Sequence, residues 1–324
     1  MRKLLLRILV FLCTLPVTYL LAIAFLIFTN LHNLFNVRLN PVGAGSTMVR
    51  LQEAAQAGPV DFLFVGSSHA YRGFDPRVFA EAGYSSFNLG TTAQSPINSY
   101  YLLREHLAHL QPTYLVMDVY WEVLQEQGAE ANIDLLSNAP LNRNMAAMAL
   151  ATKDVSVFNT LVAAAIRGIT APLRQAEPTL EPEEGYISGG YVAANYTHQQ
   201  ANLNKLKSGE AALNPLQLQY LKKIMELARQ HGTTPIFVTA PVTKEHKASV
   251  LNYSTFKKHL TTVLQQHNLT LLDFNEGKYA LPLSSETDFY DHHHLTQAGV
   301  TKFNRFFLEV LQREKLLLSL EIRR

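Results

Sequence analysis

The chain has 324 residues, of which 48% are hydrophobic and 17% charged, and its formal net charge is +2. So small a charge, without a Lys/Arg-rich block or interleaved aromatic and basic residues, argues against nucleic-acid binding. The single cysteine, Cys13, excludes an intrachain disulfide and a cysteine-based zinc site.

Residues 8–28 carry no charge, and about 20 apolar residues suffice for a helix to cross a bilayer. Three basic residues precede this stretch, which predicts a cytoplasmic N-terminus: Arg2, Lys3 and Arg7. We therefore expect a single-pass protein of a bacterial inner or plasma membrane, with its folded domain in the periplasm or outside the cell. A signal peptide cleaved after Ala22-Ile23-Ala24 is the alternative.

Beyond the anchor, short apolar runs alternate with helical patterns. Strands are predicted at 60–65, 84–88, 113–119, 235–239 and 269–273, and helices at 97–110, 215–230, 254–266 and 296–313. Strands separated by helices imply right-handed crossovers and parallel pairing. The predicted fold is a three-layer α/β/α sandwich around a five-stranded, mostly parallel sheet.

The alternation is interrupted at about 120–213, where helical stretches at 145–150 and 155–169 precede a loop rich in Pro and Glu and a run rich in Gly and Tyr. We predict no strand there, and a crossover needs only about a dozen residues. The segment is interpreted as an inserted cap or partner-binding subdomain. The chain then divides into an anchor, a juxtamembrane linker and a catalytic domain that contains the insertion: 1–29, 30–58 and 59–324.

The first strand leads directly into Gly66-Ser67-Ser68-His69. A serine in such a turn lies at the carboxyl edge of the sheet, where open α/β folds keep their sites. It needs a base to act as a nucleophile, and Asp291 and His294, three residues apart near the far end, supply a base and its orienting acid. The alternative for Ser68 is a helix cap. For His69 we favour a structural role in capping the turn.

Two other readings of the far end are weaker. The run His292-His293-His294 suggests a metal site, but consecutive side chains point in different directions and no second ligand cluster stands out, so no metal or other cofactor is predicted. Asp288 and Asp291 could form the carboxylate pair of a glycosidase, which would leave Ser68 and the histidine without a role. Tyr120 and Trp121, after the third strand, either line a pocket or serve as packing.

With these motifs the sequence resembles the SGNH/GDSL family of serine hydrolases and acyltransferases. Its first block, Gly-Asp-Ser, corresponds to residues 66–68 with Ser67 in place of Asp, and its last block, Asp-x-x-His, corresponds to Asp291 and His294. Asn88-Leu89-Gly90 resembles the second block, which implies that the N–H groups of Ser68 and Gly90 form an oxyanion hole. The third block, Gly-x-Asn-Asp, is missing, because the chain there reads Met117-Asp118-Val119.

Among members of that family, the sequence looks most like membrane-anchored envelope proteins: the D-alanine transfer protein of teichoic acids and the alginate O-acetylation proteins. The resemblance implies acyl transfer to an envelope polysaccharide or polymer, beside a multi-span membrane protein that exports acyl groups. An esterase that hydrolyses acyl esters is the alternative. A non-catalytic glycan-binding or assembly subunit is a second alternative, suggested by the missing third block.

Overall fold

A computed structural model describes residues 1–29, 31, 46–170, 184–194 and 206–317 of the chain. The strands in these ranges are β1 (Phe62–Val65), β2 (Ser86–Asn88), β3 (Tyr114–Asp118), β4 (Glu184–Ile187), β5 (Tyr191–Ala194), β6 (Thr234–Thr239) and β7 (Leu271–Asp273). The helices are α1 (Arg2–Phe28), α2 (Thr47–Ala54), α3 (Ser68–Gly73), α4 (Pro76–Glu81), α5 (Pro96–Leu110), α6 (Trp121–Gln125), α7 (Ala129–Asn138), α8 (Arg143–Thr152), α9 (Val155–Thr170), α10 (Pro215–Gln230), α11 (Lys244–Ser249), α12 (Tyr253–Gln265) and α13 (Gln297–Arg313).

Five strands form one sheet in the order β2-β1-β3-β6-β7, and every pairing in it is parallel. The predicted strands and helices of this sandwich agree with the observed ones to within two residues at each end. The predicted fold class is therefore confirmed. Parallel pairing brings all five carboxyl ends to one edge, and the candidate site lies at that edge.

The two faces of the sheet follow the alternation of side chains along each strand. On β1, Leu63 and Val65 join the core beneath α5, α10 and α12, whereas Phe62 and Phe64 join the core beneath α3, α4 and α13. All four side chains are buried, as expected for a central strand covered by helices on both sides.

The intervening segment, residues 120–213, differs from its prediction. Both predicted helical stretches occur, within α8 and α9, but β4 and β5 form an antiparallel hairpin where no strand was predicted. Helices α7 and α8 contribute buried residues such as Leu135 and Met148 to the core that also covers β1. This part of the segment thus packs on the main core. The predicted Pro/Glu-rich loop and most of the linker lie outside the described residues.

The hairpin covers the free edge of β2. The Asn88 N–H donates to the Gly189 carbonyl over 2.8 Å, and the buried Arg50 Nε donates to the Gly190 carbonyl over 2.8 Å. Gly190 has a φ of +82°, and a Cβ on it would lie 2.1 Å from the Asn88 carbonyl oxygen. Only glycine allows so close an approach in this backbone conformation. An edge strand that would otherwise expose its backbone is therefore covered.

Helix α1 contains the uncharged stretch and is long and apolar enough to cross a membrane. Its last third packs along α9. The Tyr19 hydroxyl donates to Asn159 Oδ1, and Ile23 is buried against a cluster that contains Ala163 and Ile166. The part of α1 before Tyr19 extends away from the domain, with its side chains exposed.

Candidate active site

The turn after β1 depends on Gly66, whose φ of +142° and closeness to Asp118 both exclude a side chain, since a Cβ there would lie 2.9 Å from Asp118 Cβ. The chain then enters α3. Ser67 is the N-cap of this helix, and its Oγ accepts the His69 N–H over 3.3 Å. Capping is thus done by Ser67, which leaves the hydroxyl of Ser68 for another role.

A tight loop carries the far-end motif. Thr296 N–H donates to the Asp288 carbonyl over 2.9 Å and Tyr290 N–H to the His294 carbonyl over 3.1 Å, so the ends of the loop are held together. The Asp288 carboxylate is buried and binds Lys302 Nζ over 2.6 Å and the Ser284 N–H over 2.9 Å. Because this carboxylate fixes the loop, the structure does not favour Asp288 as one of a pair of acid and base groups.

The structure brings Ser68, His294 and Asp291 into one hydrogen-bonded chain. His294 Nε2 lies 2.7 Å from Ser68 Oγ, and His294 Nδ1 lies 2.7 Å from Asp291 Oδ2. The other oxygen, Asp291 Oδ1, accepts the N–H groups of His293 and His294 over 2.8 and 2.7 Å. Burial alone would raise the pKa of Asp291, but the hydrogen bond and the positive charge of His294 hold the pKa well below its usual value.

The predicted oxyanion donors differ in availability. The N–H of Ser68, the first residue of α3, has no acceptor within the described part of the chain. The Gly90 N–H lies at the same edge of the sheet but already donates to Asn88 Oδ1 over 2.9 Å. Asn88 is in turn fixed by its Nδ2, which donates to the Ala70 carbonyl over 2.6 Å. Gly90 as an oxyanion donor stays a prediction that requires this bond to be shared or broken.

The sequence analysis did not identify a second pair of polar side chains, His69 and Asp118, beside the hydrogen-bonded chain of Ser68, His294 and Asp291. The His69 ring does not cap the turn as expected; its Nε2 lies 2.9 Å from His293 Nδ1, and its Nδ1 lies 3.7 Å from Asp118 Oδ2. Burial raises the pKa of Asp118 to about 7. Both residues adjoin the sheet edge in sequence, since His69 follows Ser68 and Asp118 ends β3. Their position next to the sheet edge in the sequence is the feature from which they could have been identified.

Aromatic side chains close one side of the site. Tyr120 is buried with its ring 4.1 Å from that of His69, and its hydroxyl lies 2.6 Å from His246 Nε2. Beside this group, Trp121, His246 and His292 contribute to a cavity of about 340 Å³. Both readings thus apply to Trp121, which is buried and also borders this cavity, whereas Tyr120 serves as packing.

One family profile matches residues 192–316, less than half of the chain, and no curated protein matches the sequence. Similar solved structures include a protein assigned as an acylhydrolase from Bacteroides fragilis, at 13% identity and a TM-score of 0.40, covering 82% of this chain and 94% of that one. Another is a GDSL-like lipase from Bacteroides thetaiotaomicron, at 11% identity and a TM-score of 0.42, covering 83% and 98%. Likeness at this level does not establish the activity, which has to follow from the site itself.

Proposed function

We propose that the protein is a serine-dependent enzyme that removes an acyl group from an ester and carries it on Ser68. One observation carries the proposal: the two 2.7 Å contacts that join Ser68 Oγ, the His294 ring and Asp291. A nucleophile, a base and an acid that orients the base occur in this order in serine hydrolases on unrelated folds. The same relay argues against a non-catalytic subunit, which would have no use for it.

The geometry defines the proton path. With its proton on Nδ1 facing Asp291, His294 presents the Nε2 lone pair to the Ser68 hydroxyl. As Ser68 Oγ bonds to the acyl carbon, its proton passes to Nε2; the ester C–O bond then breaks and the departing alkoxide takes that proton. In the second half, the acceptor hydroxyl gives its proton to Nε2 and attacks the acyl-serine, and Ser68 recovers a proton. Asp291 stabilises the imidazolium in both halves.

The oxyanion requires donors directed at the place where its charge develops. The Ser68 N–H supports this role because it has no other acceptor among the described residues. Gly90 becomes a second donor if its N–H leaves Asn88 Oδ1 when the negatively charged oxygen is present. A charged acceptor is the stronger partner, since hydrogen bonds to ionised groups are roughly twice as strong as neutral ones.

We further propose that the acceptor is a hydroxyl of an envelope polysaccharide or polymer, so that the protein is a membrane-anchored acyltransferase on the outer side of the membrane. The apolar helix α1 supports anchoring. Cleavage after residue 24 would remove Ile23, which packs with Ala163, and Tyr19, whose hydroxyl donates to Asn159, and so retention of the helix fits the packing better than cleavage. The cavity beside His292 offers room for an acceptor. A multi-span acyl-exporting partner is the expected donor, and hydrolysis to free acid is the alternative outcome.

The acyl-enzyme itself is the direct test. The full chain in detergent, mixed with p-nitrophenyl acetate and quenched rapidly, should give a burst of nitrophenol and an acetyl group on the peptide that contains Ser68, detected by mass spectrometry. With an oligosaccharide present, acetylated sugar should form faster than free acetate. A burst with acetate as the sole product supports the esterase. Absence of both burst and adduct in the folded protein contradicts serine catalysis.

The orientation needs its own test. A reporter fused after residue 317, active only outside the cytoplasm, should be active, because basic residues precede α1 and favour a cytoplasmic N-terminus. Protection of the domain from protease in spheroplasts would contradict the proposed location and leave the chemistry unaffected.

A further inference from the structure

Three imidazoles converge beside Ser68 although they come from opposite ends of the chain. The ligand-capable atoms of His69, His293 and His294 all lie within 4.8 Å of one another. Of these, His69 Nε2 and His293 Nδ1 are 2.9 Å apart. His69 and His293 are 224 residues apart, so the sequence pattern does not group His69 with the later pair.

Two of the three rings have a carboxylate behind them. His294 Nδ1 is hydrogen-bonded to Asp291 Oδ2 at 2.7 Å, whereas the 3.7 Å between His69 Nδ1 and Asp118 Oδ2 is too long for a hydrogen bond. On the opposite side of the two rings, His69 Nε2 contacts His293 Nδ1 at 2.9 Å and His294 Nε2 contacts Ser68 Oγ at 2.7 Å. A carboxylate that orients a histidine from the far side is the usual support of a metal-bound imidazole, because it fixes the tautomer and makes the free nitrogen a better donor.

The charges and the access also suit a cation. The Asp291 carboxylate contacts His294 Nδ1 at 2.7 Å and lies 4.0 Å from His293 Nε2. The His293 side chain is 20% exposed, which opens a path from solvent, whereas that of His69 is only 2% exposed.

We propose that Zn²⁺ binds to His69 Nε2, His293 Nδ1 and His294 Nε2, and that the bound ion reversibly switches off the Ser68 site. Three imidazoles with a fourth position open is an established coordination for zinc. Inhibition follows because the ion occupies the lone pair of His294 that would otherwise accept the proton of Ser68. This inhibitory role rests on the proposed serine chemistry, whereas the binding itself does not.

The movement required is small. Zinc–nitrogen bonds of about 2.0–2.1 Å in a tetrahedron place ligand nitrogens roughly 3.3 Å apart. The 2.9 Å between His69 and His293 would open by a few tenths of an ångström as the ion replaces the shared proton, and the wider separations within the group would close. Ser68 Oγ, 2.7 Å from His294 Nε2, lies next to the open position.

Binding can be measured without any turnover. Zn²⁺ is titrated into the full chain in detergent against a chromophoric chelator, and Co²⁺ is titrated in parallel, because its visible absorption reports four-coordinate geometry. We expect one ion per chain in the wild type and in Ser68→Ala. His293→Gln should lower the affinity at least about tenfold, and so should His69→Gln. Since His69 is buried and its variant can fail to fold, the more exposed His293 carries the test.

His292→Gln is the matched control. Its ring lies against those of His293 and His246, with centroids 4.6 and 4.8 Å apart, but it is not one of the three grouped histidines. The His292→Gln variant should keep the zinc affinity of the wild type. In a separate assay, Zn²⁺ should inhibit ester turnover by the wild type, and adding a chelator should restore it. The proposal is overturned if no stoichiometric ion binds, or if His292→Gln weakens binding as much as His293→Gln. Binding without any ester turnover would leave the metal site standing and contradict only the serine chemistry.

Discussion

The sheet edge that carries Ser68 holds Asp291 partly exposed, whereas the intervening segment holds Asp134 buried, and the surroundings affect the two carboxylates differently. At the sheet edge, Asp291 is held at low pKa by His294 and by two N–H groups, and remains charged. In the intervening segment, Asp134 has its pKa raised to about 6 by burial, although Thr47 Oγ1 and Asn138 Nδ2 hydrogen-bond to it. The surroundings of Asp291 stabilise its charged form, whereas the surroundings of Asp134 favour its neutral form.

From this difference we expect substitutions of the two carboxylates to affect different properties, the reaction rate in one case and the stability in the other. A carboxylate paired with an imidazole next to a hydroxyl has a chemical task, so its replacement should lower the rate more than the stability. Asp134 is buried with Thr47 and Asn138 as hydrogen-bond donors and the charge of Arg50 nearby, so its replacement should affect stability and leave the rate unchanged. The following predictions test that division.

Loss of the nucleophile or the base should have the largest effect. Ser68→Ala and His294→Gln should each lower kcat/KM for p-nitrophenyl acetate by at least about 10³-fold, with little change in Tm. Ser67→Ala is the matched control: it removes the cap of α3 and should cost about 1 kcal/mol of stability while retaining most of the activity. If Ser68→Ala keeps its rate, the nucleophile is misassigned.

Asp291→Asn should come next, with a smaller loss of rate than either of those two variants. The amide Oδ1 can still accept the N–H groups of His293 and His294, but an NH₂ facing His294 Nδ1 forces the proton onto Nε2, which then cannot accept from Ser68. Asp288→Asn, three residues earlier, should instead lower Tm, because it loses the ion pair with Lys302. Equal rate losses in both variants would contradict the division of roles.

Much of the sheet edge was predictable from local pattern. Apolar runs with turn residues at their ends located β1 to β3, β6 and β7, and the spacing of Asp291 and His294 identified the pair. Parallel topology then brought the motifs at the two ends of the chain to one edge. The orientation of individual polar groups was not predictable, because the sequence does not show that the Gly90 N–H binds Asn88, or that the His69 ring turns toward His293.

The hairpin of the intervening segment was not predictable for a different reason. Its strands are Glu184–Ile187 and Tyr191–Ala194, joined through Gly189 and Gly190, and they lack the alternation that marks a half-buried strand. Their pairing is supported by contacts that lie far away in sequence, namely Asn88 and Arg50. Such contacts are tertiary, and no local window contains them.

Gly190→Ala should destabilise the fold by about 1–3 kcal/mol or more. The alanine would need a φ of +82°, and its Cβ would approach the Asn88 carbonyl oxygen to 2.1 Å, so the hairpin has to move off β2. Denaturant unfolding measures the loss. Gly185→Ala in the same hairpin is the control, since a Cβ there meets nothing within 4 Å and the residue has no positive φ. A similar loss in both variants would show that the hairpin is sensitive for another reason.

Asp134→Asn should give the smallest effect and change only the pH dependence of stability. Because the folded-state pKa is raised from 3.8 to about 6, the folded protein holds a proton that the unfolded chain releases. The stability from Asp134 is therefore complete below about pH 4 and lost as the pH rises through about 6. At about 1.4 kcal/mol per pKa unit, the loss is at most about 3 kcal/mol.

The measurement is the change in unfolding free energy between pH 5 and pH 7.5. This free energy should fall less in Asp134→Asn than in the wild type, with ester turnover unchanged. The exposed Glu286→Gln variant is the control and should lose as much stability as the wild type. A wild type that gains stability over this range relative to Asp134→Asn would mean that Asp134 is stabilised as an ion, and the contrast with Asp291 would disappear.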